Sequence, residues 1–335
     1  MLTAAASCLC LVGCVPRSEN EVVLYSAADR EVAAPILSAF ERRHTETKVA
    51  ATFDGESTKT VGLVTRIENE ASKPRCDLFW NNEILHTQRL EEAGLLQTVS
   101  WDVPSNWPSP MRSRRGTWIA FAARARVLLV NRDLLPDQEA WPRSVLELAD
   151  PKWQQKCAVA LPLFGTTATH FTILQTKIGA ARAAQWFRSV KENAIVLSGN
   201  KQVAQAVSSG QVAMGLTDTD DALIEIENGL PVSIVFPDQQ SDQFGTLLIP
   251  NTLCVMKNCP HPNAARALGN YLLSEDIEGR LAMGPSGNIP VRPGHPQKSR
   301  AAPPATVRYM EVDYARAATE WETAKETLRT IYRGE

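Results

Sequence analysis

Three carboxylates fall within four positions in Thr217-Asp218-Thr219-Asp220-Asp221. Such oxygens are hard donors that suit Ca²⁺, Mg²⁺, Mn²⁺ or ferric iron. They also pair with ammonium or guanidinium groups through charge-assisted hydrogen bonds. Crowded this closely, free carboxylates repel and raise one another's pKa unless a positive charge sits nearby. The same residues fit ordinary helix capping, because Asp or Thr at an N-cap and acids in a first turn are common. The stretch lacks the sixth-position Gly and the late Glu of an EF-hand loop.

The acidic run lies between an expected strand at 212–216 and an expected helix at 222–228, and turns of this kind hold ligands in open α/β sheets. Other expected strand-to-helix turns carry hydroxyls and amides: Gly55-Glu56-Ser57-Thr58-Lys59-Thr60, Phe164-Gly165-Thr166-Thr167 and Ser198-Gly199-Asn200. Exposed N–H groups at a helix start attract anions, although Ser and Thr there also serve as caps. The first of these turns is no P-loop, since Thr58 stands where Gly should precede Lys59. Together the turns offer donors for an anionic group and carboxylates for a cationic one. A metal ion with a companion anion satisfies that pattern, and so does a small zwitterion.

Around these turns, short apolar runs alternate with helical periodicity. Expected strands fall at 22–25, 49–53, 77–80, 118–121, 127–130, 158–161, 195–197, 212–216, 247–249 and 253–256. Between the first two, Val32, Ala33, Ile36, Leu37 and Phe40 recur at helical spacing, with Pro35 expected near the first turn. Further helices are expected from 168, 180, 202 and 262, and a last one spans 314–332. The alternation implies parallel βαβ units covered by helices.

The chain has 335 residues, more than one ordinary core accommodates. Its 35 basic and 37 acidic residues nearly balance, which gives no support for nucleic-acid binding. The extreme N-terminus is apolar and rich in small residues up to Leu11-Val12-Gly13-Cys14, then turns polar at Pro16-Arg17-Ser18-Glu19-Asn20. Such a segment is shorter than the roughly twenty residues of a membrane span and reads as a secretory leader. It resembles a lipobox, so 1–13 is expected to be removed, with 14–20 a tether lipidated at Cys14. The remaining Cys76, Cys157, Cys254 and Cys259 show no metal-ligand spacing; Cys254 and Cys259 either pair across a short turn or stay buried thiols.

Several phrases then combine: Val23-Leu24-Tyr25-Ser26-Ala27, Leu90-Glu91-Glu92-Ala93-Gly94-Leu95-Leu96-Gln97, Leu148-Ala149-Asp150-Pro151-Lys152-Trp153 and Gly210-Gln211-Val212-Ala213-Met214-Gly215-Leu216. In this order they resemble the ferric-ion-binding branch of the bacterial extracellular solute-binding proteins, the receptors of ATP-driven importers. The resemblance implies a type II-like periplasmic-binding-protein fold, two α/β lobes with mixed sheets and a ligand cleft between them. The lobes would comprise 21–117 with about 250–295, and 118–249 with about 296–335. It also implies an exported, monomeric protein without a resident cofactor, which hands its cargo to a permease in the cytoplasmic membrane.

The iron ligands of that branch do not transfer. Its adjacent tyrosines align with Asp220 and Asp221, its first-loop His with Asp29, and its Glu with Asn82, beside Glu83. The expected site is therefore Asp220 and Asp221 as metal ligands, with Ser26, Asp29, Ser57, Thr58, Asn82, Glu83, Gly165, Thr166, Thr167, Ser198, Asn200 and Asp218 lining the cleft. Two other functions remain open: a carboxylate-metal hydrolase using Asp218, Asp220 and Asp221, and a sensor subunit for a small zwitterion. An enzyme finds little else, since the five histidines lack His-x-x-x-His spacing and no Gly-x-Ser-x-Gly elbow occurs; His170 is the candidate general base.

Overall fold

Val22, Leu24 and Tyr25 are buried in strand β1 (Glu21–Ser26), and the spacing of Ala33, Ile36, Leu37 and Phe40 turns one face of helix α1 (Arg30–Arg43) onto it. The computed structural model describes residues 20–54, 60–301 and 303–334. The expected leader at 1–13, Cys14, Ser57 and Thr58 lie outside these. Pro35 is inside α1, beyond the first turn. It is on the exposed face, where the carbonyl that loses its partner can reach water.

The chain continues through β2 (Lys48–Phe53), α2 (Val61–Asn69), β3 (Leu78–Asn81), α3 (Leu85–Glu92) and the long β4 (Trp118–Asn131). Next come β5 (Cys157–Ala160), α4 (Gly165–Ile178), α5 (Ala180–Asn193), β6 (Ala194–Leu197), α6 (Asn200–Ser208), β7 (Met214–Asp218), α7 (Thr219–Glu227) and β8 (Val232–Val235). The last elements are β9 (Leu248–Val255), α8 (Pro262–Leu272), α9 (Glu275–Met283), α10 (Tyr314–Thr319) and α11 (Trp321–Arg333).

The strands run in the order β2-β1-β3-β9-β4-β7-β5-β6, with β8 also on β4. At one end β2, β1 and β3 are parallel; at the other β7, β5 and β6 are parallel. Between them β9 and β4 are antiparallel and cross from one lobe to the other. The first half of β4 pairs with β9 and its second half with β7 and β8. Two pairs of expected strands are therefore continuous: 118–121 with 127–130, and 247–249 with 253–256. The apparent breaks are the arginines of β4 and Pro250 of β9. Pro250 is tolerated beside a register shift between Phe121 and Ala123, where Ala122 has φ 43 and the ladder is already interrupted.

The first lobe's core gathers Leu24, Phe79, Trp80, Phe121 and Leu253; the second lobe's includes Leu128, Val159, Phe171, Phe187 and Leu216. The expected last helix breaks at Glu320 into α10 and α11. Tyr314, Ala317 and Trp321 join the first core, while Leu328 and Ile331 join the second, so the C-terminal helices hold both lobes. No helix among the described residues is long and apolar enough to cross a membrane.

All four body cysteines are free and buried, Cys254 and Cys259 included. Burial pushes the Cys157 and Cys259 thiols up to about 12 and raises Cys76 and Cys254 as well. The thiolate is the reactive form. Iodoacetamide at mildly alkaline pH should therefore label none of the four before unfolding and all four in denaturant without reductant. A peptide map in which Cys254 and Cys259 stay unlabelled after unfolding would instead show them bonded to each other.

Candidate functional site

The C-terminal ends of β5, β6 and β7 share one edge, and α4, α6 and α7 start there. The strand-helix boundary at the acidic run differs from the sequence expectation. β7 extends through Asp218 and α7 begins at Thr219, so Asp220 and Asp221 occupy the helix's first turn. Asp218 holds the N-cap position but makes no side-chain bond to the helix start.

Its carboxylate turns instead to Arg126, directly across the ladder on β4. Arg126 Nη1 lies 2.7 Å from Asp218 Oδ1, and both side chains are buried. On Asp218 Oδ2, Thr166 Oγ1 donates at 2.6 Å and Asn200 Nδ2 at 2.9 Å. Arg126 also donates to Thr166, Thr167 and Asn200 through their side-chain oxygens. Four of the expected cleft residues thus form one network around an arginine. Three turns supply them: Thr166 and Thr167 come from the start of α4, which opens at Gly165 with φ +62, Asn200 from the start of α6, and Asp218 from the end of β7.

Arg124, two residues earlier on the same face of β4, meets Asp220 at 3.4 Å. Burial opposes its positive charge, but Asp220, Asp218, Asp29 and Asp221 outweigh that and raise its pKa. Asp220 is raised by burial, with further repulsion from Asp218 and Asp29, against the attraction of Arg124. Asp29, exposed at the start of α1 in the first lobe, therefore acts on the same corner from the other side. One carboxylate oxygen each from Asp218, Asp220 and Asp221 lies within 4.8 Å of the other two. Oxygens around one Ca²⁺ sit about 2.3–2.6 Å from it, hence at most about 5 Å apart. The cluster therefore fits a single hard cation, and no other such group occurs among the described residues.

The remaining expected residues divide. Glu83 is fully buried; its carboxylate accepts the N–H groups of Leu85 and His86, capping α3, and the hydroxyl of Thr169 on α4. Asn82 Oδ1 accepts from Thr60, and Ser26 Oγ from the Ala28 N–H. Ser198 is exposed in the turn before α6. His170 is buried with no hydrogen-bond partner for either ring nitrogen, and burial together with Arg126 lowers its pKa well below the usual value. A neutral imidazole sealed in this way is poorly placed for proton exchange with a substrate. A hollow of about 220 Å³ lined by Ile67, Glu70, Cys76, Leu95 and Met256 lies before β3, away from the strand ends that carry the acids.

The sequence reading missed Arg124 and Arg126. Their signal was present: two arginines alternating within an otherwise apolar strand, where unpaired charges are almost never buried.

Residues 77–318 match the model of a family described as bacterial extracellular solute-binding protein. Iron uptake protein A2 of Synechocystis sp. is 30% identical over 249 residues, 70% of each chain. The major ferric iron-binding protein of Neisseria meningitidis is 26% identical over 202 residues, 58% of each. Among solved structures, iron-bound HitA from Pseudomonas aeruginosa superposes with a TM-score of 0.82 at 23% identity, covering 92% of this chain and 99% of that one. The last likeness speaks for the two-lobed fold.

Proposed function

Since the chain belongs to the bacterial extracellular solute-binding proteins, we propose that its acidic corner captures a hard metal cation outside the cytoplasmic membrane for delivery to a permease. The observation that carries this reading is the approach of three carboxylate oxygens to within 4.8 Å of one another. The names of the relatives, one for iron uptake and one for ferric iron binding, support the cargo class.

Asp220 and Asp221 supply the first contacts from the second lobe. Asp29 adds a carboxylate from the first lobe as the cleft closes by a hinge motion. Arg124 holds Asp220 while no cation is present, and an incoming ion must displace that guanidinium. Monovalent ions therefore compete poorly. Carboxylates in place of phenolates widen the acceptable set from ferric iron toward Mn²⁺, Ca²⁺ and Mg²⁺. Export through a leader at 1–13, anchoring at Cys14 and a monomeric receptor complete the proposal. The lobe limits of the proposal are 21–117 with about 250–295 and 118–249 with about 296–335, except that the start of β4 and α10 pack with the first core through Phe121, Tyr314 and Ala317.

Titration calorimetry of metal-free protein against Mn²⁺, Ca²⁺, Mg²⁺ and chelated Fe³⁺, with a parallel panel of small amines and amino acids, tests the reading. At least one metal is expected to bind with Kd of about 1 μM or tighter, some −8 kcal/mol, while the amines give no heat. Binding confined to the amines would transfer the site to a zwitterion.

A further inference from the structure

We infer that Asp218 is a built-in anion, so that this site takes up its cation without a companion anion from solution. The inference rests on the metal reading above and specifies how the charge of the loaded site is balanced.

An anion seat needs several donors converging on one point. Here such donors exist: the Arg126 guanidinium, the Thr166 hydroxyl and the Asn200 amide, at the starts of two helices that end-on attract negative charge. All three are directed at the carboxylate of Asp218, with both its oxygens engaged. The Thr167 hydroxyl, which accepts from Arg126, donates to Asn200 Oδ1 and closes the ring. An outside anion would have to evict a buried carboxylate from a 2.7 Å ion pair and leave it without a partner.

Charge leads to the same conclusion. With all groups ionised, Asp29, Asp218, Asp220 and Asp221 oppose Arg124 and Arg126, leaving two negative charges, which one divalent cation neutralises. An added anion would restore the excess in a partly buried site. Among the buried side-chain nitrogens of the two arginines, only the Nε groups of Arg124 and Arg126 lack an acceptor.

The test is titration of metal-free protein with MnCl₂ in carbonate-free, phosphate-free buffer, then with bicarbonate or phosphate added. Wild-type affinity should stay within about twofold across all three conditions, under 0.5 kcal/mol. Asp218→Asn empties the seat and exposes Arg126 to recruitment, so phosphate should now strengthen Mn²⁺ binding about tenfold or more. Asp218→Asn/Arg126→Met removes the recruiter too and should lose that response. Should Asp218→Asn fail to fold, the wild-type arm still decides, because a gain there overturns the inference. A wild type that gains about tenfold or more from either anion, or an Asp218→Asn protein indifferent to both, overturns the inference alone. No Mn²⁺ binding in any arm removes the inference and, with a metal-silent calorimetry panel, the metal reading as well.

Discussion

Replacing Asp220 and Asp221 together by Asn is expected to weaken cation binding by at least about a hundredfold while leaving the fold in place. Each substitution keeps the side chain's shape and one oxygen, and removes the charge that a hard cation senses. Charge-assisted contacts are worth about 1.5–3 kcal/mol each. Two of them amount to roughly 3–6 kcal/mol, or about two to four orders of magnitude in Kd. The fold should tolerate the change because burial and the neighbouring Asp218 and Asp29 already disfavour a charge on Asp220. Asp220 and Asp221 also lie in the first turn of α7, not in a core layer. Calorimetric titration of the double variant, with its circular dichroism melt alongside, measures both halves of the prediction. Undiminished affinity with an intact melt would move the metal elsewhere in the molecule.

The second large effect concerns stability. Arg126→Met should cost about 3–5 kcal/mol, because it strands a buried carboxylate that has lost its cation. Asp218 is 2% exposed and Arg126 0% exposed, so water cannot take over from the missing partner. Thr166 and Asn200 would still donate to Asp218, which limits the loss but does not neutralise the charge. Adding Asp218→Asn to Arg126→Met should recover most of it, since breaking a buried pair is far costlier than replacing both members. Guanidinium denaturation of the wild type and the two variants measures this. If the single variant were as stable as the wild type, the pair could not be desolvated as described.

Much of this architecture is legible in the chain. Buried strands such as Leu78-Phe79-Trp80 and helices such as α1 follow from periodicity alone, because each needs only its own neighbours. The acidic corner is legible as a cluster for the same reason. Its circuitry is not. Asp218 and Arg126 are 92 positions apart and meet only because β7 pairs with β4 in one register. Glu83 shows the same limit. Beside an expected ligand position it reads as a cleft residue, yet it faces inward to cap α3 and bind Thr169, 86 positions away. The two crossing strands were divided because arginines and a proline break an apolar pattern. Partners on other elements, a carboxylate for each arginine and a bulge beside the proline, restore their continuity.

The meeting of β4 and β9 has one more implication. At Ala122 the ladder misses a single rung: the residue's N–H goes to the buried Glu278 carboxylate, which also accepts from Val291 and Arg292, and its carbonyl accepts from Asn251. The lost rung is thus refilled from outside the ladder, and the strands that cross between the lobes are tied at that point to α9 and to the segment that follows it.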